Sequence, residues 1–338
     1  MASIDVFSDD AFGLFELTGA LERIPFQPSL LGQLNIFTPK PISTTSFAIE
    51  NRGGTLNLIN TTPRGAPLPQ ASPGPRDLRY FGTVRLAKGD RLNASEIQNL
   101  RAFGSETEFA QVQAETLTRM AKLRADLDLT LEYHRLGALQ GIVLDANGDV
   151  LFNWFDEWGI AQPAEIDFNL DAATTDVRGM LRDVKRSMQR AARGGWTPGT
   201  SVGALAGDAF FDALINHPQI KETKLNTDAG APLLENIQGY SSIEIEGITF
   251  INYRGADDLD EIAIDTDKVK FFPMGGRDLF QHVMAPGETF DVVNTPGRPF
   301  YALTIPDRDR NAFVGLEIYS YPALVATRPQ MLLRGKRT

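Results

Sequence analysis

The chain has 338 residues, 42% of them apolar, enough for a sizeable core in one large or two interleaved domains. It contains no cysteine, which excludes a disulfide framework and any thiolate metal site. Its net charge of -10 and pI of about 4.9 give it no electrostatic footprint for gripping nucleic acid. Met1 to Asp10 carries three aspartates and no long apolar run, so it does not read as a signal peptide. No stretch approaches ~18 uninterrupted apolar residues, so no membrane span is expected.

Residues 7–37 mix apolar groups with breakers: Phe12, Leu14, Phe15 and Leu17, then Ile24-Pro25-Phe26-Gln27-Pro28. The prolines confine any helix to a short piece before Arg23. The segment is too apolar for a disordered tail and is expected to lie along another surface, its own or a neighbour's. Phe47 and Ile49, then Leu56 and Leu58, alternate on either side of a turn at Asn51-Arg52-Gly53-Gly54 and predict two strands. Residues 61–76 hold five prolines and two glycines, which exclude regular structure. Such a loop is a mobile surface loop or an extended flap resting on another subunit.

Asn93 or Ser95 caps a short helix through Leu100, and Gly104 breaks it. Ser105 with Glu108 forms a capping box. From there Phe109, Val112, Met120, Leu123, Leu127 and Leu131 make one apolar stripe along a strut-like helix, ended by Gly137 and Gly141. Gly141 to Trp154 reads as a hairpin with a type I′ turn at Asn147-Gly148. A second helix is predicted over about 174–193 (Val177, Met180, Leu181, Val184, Met188), and a third over about 207–216 (Phe210, Phe211, Leu214). Strands follow at 243–245 and 248–251 around Glu246-Gly247, and at 268–272, 289–293, 299–305 and 313–321.

Four groupings could carry chemistry. Gly199-Thr200-Ser201-Val202-Gly203 fits a nucleophile elbow, with Asp265 and His282 in hydrolase order, so the alternative function is a serine hydrolase using Ser201. The residues before it form a loop instead of an apolar strand, which favours a plain strand between loop and helix. Asp145, Asn147 and Asp149 have the first spacings of a calcium loop, but Val150 and Asp156 occupy the positions that need glycine and glutamate. The acidic run Asp257, Asp258, Asp260, Glu261, Asp265 and Asp267 could chelate a hard cation, but such a run is more often a solvated rim. Arg328, Arg334, Lys336 and Arg337 read as a solvated basic tail, too small for a specific nucleic-acid site. The three histidines are far apart, and no metal or cofactor is expected.

In this order several segments resemble the phage lambda-type major capsid protein family. Ile24-Pro25-Phe26-Gln27-Pro28 and Leu34-Asn35-Ile36-Phe37 resemble its N-terminal arm. Arg64-Gly65-Ala66-Pro67 sits where the family carries Arg-Gly-x-Pro, and Arg101-Ala102-Phe103-Gly104 matches the Arg-x-Phe-Gly break before its long helix. Glu132, Gly137-Ala138-Leu139-Gln140-Gly141, Asp145 to Leu151, Phe210 to Leu214 with His217-Pro218, Tyr319-Ser320-Tyr321-Pro322 and Arg328-Pro329 continue the likeness over nearly the whole chain.

The resemblance implies an α+β, HK97-like tailed-phage capsid fold. Its parts would be an N-terminal arm (1–45), an extended loop (46–92), a peripheral domain (93–165) with a spine helix at 105–136, an axial domain (166–305) and a return to the peripheral domain (306–338). It implies a structural protein, not an enzyme, that self-assembles into hexamers and pentamers of an icosahedral head shell enclosing viral DNA, formed in the bacterial host cytoplasm. A portal, a decoration protein and a scaffolding protein are the implied partners. Arm-like sequence begins almost at Met1, so the scaffold is expected to be a separate chain. Arg64, Gly65, Pro67, Arg101, Phe103 and Gly104 are the expected inter-subunit contacts, with Gly104 as a hinge. The first ninety-odd residues are expected to bury little within their own subunit.

Overall fold

The computed structural model describes residues 14–22, 30–52, 76–97, 108–192, 194–227, 235–237, 240–253, 264–276, 278–310 and 312–338. The front contributes α1 (Leu14–Glu22), the single turn α2 (Leu30–Gln33), β1 (Thr38–Pro41), β2 (Ser46–Arg52), β3 (Arg76–Gly82), β4 (Leu86–Asn93) and α3 (Ala94–Ile97). The long helix α4 (Glu108–Gln140) leads to β5 (Ile142–Leu144), β6 (Val150–Asn153), α5 (Trp154–Trp158) and β7 (Ile166–Asp167). Next come α6 (Val177–Ala191), β8 (Ser201–Ala206), α7 (Asp208–Asn216), α8 (Pro218–Thr227), β9 (Glu235–Ile237), β10 (Tyr240–Ile245) and β11 (Ile248–Asn252). The chain closes with β12 (Lys268–Met274), β13 (Phe280–Met284), β14 (Tyr301–Pro306), β15 (Phe313–Ser320), β16 (Pro322–Ala326) and β17 (Leu333–Lys336).

The stripe on α4 does what its spacing predicts. Val112, Met120, Leu123, Leu127 and Leu131 are buried against Leu92, Ala302, Val314, Leu316 and Ile318 of the antiparallel sheet β14-β15-β4. Alternation on β15 puts Val314, Leu316 and Ile318 on the helix side and Phe313, Gly315, Glu317 and Tyr319 on the other. Ser105, Phe109 and the rest of the predicted cap lie outside the described residues or side chains.

The predicted end of this helix needs correction. It runs through Gly137 to Gln140 and stops at Gly141, which takes a left-handed φ of 85°. Gly137 serves a close approach instead, because a Cβ there would stand 2.7 Å from the Ile142 carbonyl oxygen. The Asn147-Gly148 turn is corrected as well. Only Gly148 has positive φ, its N–H bonds to the Asp145 carbonyl at 2.9 Å, and the register slips between Val143 and Leu144. That is a type I turn with a glycine bulge. At Glu246-Gly247 both residues are left-handed, as a tight two-residue hairpin requires.

The seven-stranded sheet β7-β17-β12-β8-β11-β10-β9 separates two cores. Val202, Ala204, Ala206, Phe250, Val269 and Phe271 face α6 and α7. Leu205, Ile251 and Phe272 face the other way, toward Leu136 and Leu139 at the end of α4. Residues 289–293, expected as a strand, form a helical turn instead, with Val292 and Val293 N–H groups bonded to the Thr289 carbonyl. The β-branched residues there favour a strand, but among the described residues no partner strand lies alongside. The basic end is no solvated tail: it is β17, flanked by β7 and β12 inside the sheet.

The front segment also departs from expectation. Leu17, Leu21, Leu30, Leu31, Phe47, Ile49, Phe81 and Leu92 are all buried within their own subunit. β1 pairs in parallel with β13, and β4 pairs with β15 over eight residues. The described front segment therefore completes the subunit's cores. Among the described residues no helix is long and apolar enough to cross a membrane.

A helical glycine replaced by alanine ordinarily stabilises by about 1 kcal/mol. Gly137→Ala should do the reverse, destabilising by roughly 1–3 kcal/mol because β5 must move. Chemical denaturation of the purified subunit reads this, and a raised midpoint would contradict the packing argument.

Candidate assembly elements

Each front element is tied down by a specific polar anchor. Among the described side chains of α4, Glu132 is the one carboxylate or cation that is buried, and it lies beneath α2. Its carboxylate accepts the Leu31 N–H at 2.7 Å and the Gly32 N–H at 3.1 Å, satisfying donors that a one-turn helix leaves open. Arg135 at 3.3 Å and the Tyr253 hydroxyl at 3.5 Å complete the shell around it. Burial, reinforced by the Glu132 charge, drives the Tyr253 phenol far above its ordinary range, so it stays a donor. At α1, Thr18 accepts the Ala302 N–H at 3.2 Å. Arg124 donates to the Leu21 carbonyl while its guanidinium lies 4.5 Å from the Phe300 ring centre.

The β2–β3 pair is held on the body near its Ser46–Gly82 end. Phe47, Ile49 and Phe81 pack on α5, with Phe81 edge-on to Trp154 at 5.4 Å. The Trp154 and Trp158 indoles donate to the Leu324 and Ala326 carbonyls of β16 at 3.1 and 3.3 Å. Seven residue pairs run from Ser46 opposite Gly82 to Arg52 opposite Arg76. The second strand predicted at Leu56 and Leu58, and the expected contact residues Arg64, Gly65 and Pro67, lie outside the described residues, as do Arg101, Phe103 and Gly104. Where the chain approaches α4, Arg119 ties α3 and β4 to the helix through Glu115 (2.8 Å), Glu96 (2.5 Å) and Asp90 (3.6 Å). The Glu132 anchor was missed as such from sequence. Its signal was a single carboxylate beside the apolar stripe at Leu131.

The alternative chemistries lose their geometry. Ser201 opens β8 opposite Met274, and the chain continues as a buried strand instead of turning straight into a helix. His282 lies in a different sheet, on β13, and its buried Nε2 has no hydrogen-bond partner among the described residues. Burial first, then nearby Arg135, pushes this imidazole down to about 4. Asp145 and Asp149 are joined by the backbone of the bulged hairpin. Asp257, Asp258, Asp260 and Glu261 lie outside the described residues, and Asp267 pairs with Arg337 at 3.0 Å. Lys336 pairs with Asp167 at 2.9 Å, so acids within the fold neutralise the basic strand. Among the described residues no group of three or more histidines and carboxylates could hold a metal ion.

A long helix under a three-stranded sheet, a separate two-stranded antiparallel pair and a helix-covered mixed sheet make up the HK97-like fold of phage capsid proteins. The chain superposes on a capsid protein from an Escherichia coli CFT073 prophage with a TM-score of 0.57, at 12% identity, covering 96% of this chain and 99% of that one. The capsid of cyanophage P-SCSP1u gives 0.55 at 11% identity (93% and 89% covered), and the mature capsid of bacteriophage PhiM1 gives 0.53 at 12% (93% and 88%). The phage major capsid protein E family matches residues 14–337, and the chain belongs to that family. The major capsid protein of Salmonella phage Felix O1 is 23% identical over 355 residues, covering 95% of both chains. The chain is thus a structural capsid protein of a phage virion.

Two outcomes test the anchors. Glu132→Ala leaves buried N–H groups and Arg135 without their partner, and should lower subunit stability by about 3 kcal/mol. An unchanged denaturation midpoint would remove Glu132 from its role. His282 keeps its folded value below the unfolded 6.5, so its contribution is present above that pH and is lost as pH falls toward 4. The thermal midpoint should fall across that window, and His282→Phe should flatten the fall; an equally steep profile in the variant contradicts the assignment.

Proposed function

We propose that this chain assembles with copies of itself, as hexamers and pentamers, into a closed icosahedral head shell around viral DNA, and that it has no catalytic role. The observation that carries this reading is a family match spanning residues 14–337 on a fold shared with capsid proteins. In this reading residues 1–45 are the arm and 46–92 the extended loop. Residues 93–165 and 306–338 belong to the peripheral domain, and 166–305 to the axial domain. Arg64, Gly65 and Pro67 contact a neighbouring subunit, and Arg101, Phe103 and Gly104 form the hinge and contact at the entry to α4. Prolines suit such a loop because they restrict its unbound conformations, so less entropy is lost on docking. Each contact is modest, but every subunit in a closed shell makes several at once.

A scaffolding protein, a portal and a decoration protein are the partners, and the host cytoplasm is the place of assembly. Negative-stain electron microscopy of the chain co-produced with its scaffold should show uniform closed particles; a discrete low-order oligomer at every concentration would end the reading. Arg64→Ala should leave the subunit melting temperature unchanged and lower the heat resistance of the particles. Variant particles that survive heating like the parent would show that Arg64 is no anchor.

A further inference from the structure

Strands β12 and β17 carry four cations on one side of the seven-stranded sheet. Their register sets Lys268 opposite Lys336 and Lys270 opposite Arg334. Side chains two apart share a face, so all four lie with Phe272 on the side turned toward the end of α4. Like charges directly opposite each other across a ladder destabilise it.

The fold answers the first pair and leaves the second. Glu165 accepts from Lys268 at 2.8 Å, and Asp167 pairs with Lys336 at 2.9 Å. Among the described residues no carboxylate forms an ion pair with Lys270 or Arg334, and Glu165 and Asp265 act on Lys270 only at longer range. The Arg334 Nε is buried and has no hydrogen-bond partner among the described residues. Burial first, then the Arg334 charge, holds the Lys270 ammonium below the ordinary lysine range.

Lys270 and Arg334 line a cavity of about 10 Å³ together with Gln140, Gln162, Phe155 and Leu332, and no carboxylate lines it. That is room for about one water-sized group. A water would meet the Nε donor and leave the two charges facing each other. The carbonyl end of α4, which reaches the cavity at Gln140, supplies roughly half an elementary charge against two whole cations. The carboxamides of Gln140 and Gln162 add N–H donors.

We propose that the Lys270–Arg334 cavity binds one inorganic oxyanion of the phosphate type, with one oxygen inside and the rest at the mouth. Both cations are partly exposed, so the ion reaches them from solvent. A guanidinium presents paired N–H groups that match two oxygens of such an ion. The bound anion ties β12 to β17 where their side chains otherwise repel. The site belongs to the single subunit and does not depend on the shell reading.

The purified full-length subunit is melted while sodium phosphate replaces sodium chloride at constant ionic strength. The proposal expects a saturable rise in the midpoint, about 2 °C once phosphate stands about tenfold above its dissociation constant. Lys270→Met removes one of the facing charges. It should melt no lower than the parent in chloride alone, and phosphate should no longer raise its midpoint. Arg334→Gln should lose the response as well, and either variant suffices if the other fails to fold. A rise that never saturates, or that persists undiminished in the variants, is salt acting on the whole surface and overturns the site. A flat response in the parent overturns it too, whether water or a carboxylate of another chain meets the two cations.

Discussion

Helix α4 is the constraint on which the rest of the subunit depends. Its 33 residues span about 50 Å, too long for any one neighbour to cover. The chain therefore returns to it repeatedly: α1 and the β14-β15-β4 sheet along the stretch from Val112 to Leu131, α2 at Glu132, and the seven-stranded sheet against its last turns. A buried carboxylate costs several kcal/mol unless its lone pairs are met. Glu132 is met by donors from α2, from its own helix and from Tyr253, so a polar group inside the core sets where α2 can sit. A purely apolar contact would permit α2 to slide along the stripe.

The subunit reconciles two demands on its front segment. The segment completes the cores, yet among the described residues β2 and β3 pair only with each other, in a sheet of their own. Tryptophans on α5 resolve this by packing on the hairpin base while their indole N–H groups lock onto β16. The ion pairs around Arg119 act similarly at the approach to α4. Singly such half-exposed pairs contribute little, but three carboxylates converging on one guanidinium hold α3 and β4 in place.

What could be read from the residues was what has a period. The stripe on α4, the inner face of α6 and the hairpin at Glu246-Gly247 follow directly from spacing and turn chemistry. What could not be read lacks a period or depends on distant partners. β13 and β16 are short and buried, without alternation, and β1 is a strand only because β13 lies beside it in parallel. Gly137 read as a stop because nothing in its neighbourhood reveals the strand that crosses it. Gly199-Thr200-Ser201-Val202-Gly203 resembled a catalytic turn because small residues also suit a strand buried on both faces, as β8 is. Order of motifs revealed the family, but only the folded chain shows that Leu17, Leu31 and Phe47 are housed at home.

The pairing of the chain's beginning with its end sets a timetable. Thr18 waits for Ala302, 284 residues downstream, and β1 waits for β13. At bacterial rates of translation that interval is roughly 15–60 s. Throughout it α1 has α4 beside it but not the β14 strand that covers it, and the subunit acquires its finished outline only as the final strands leave the ribosome.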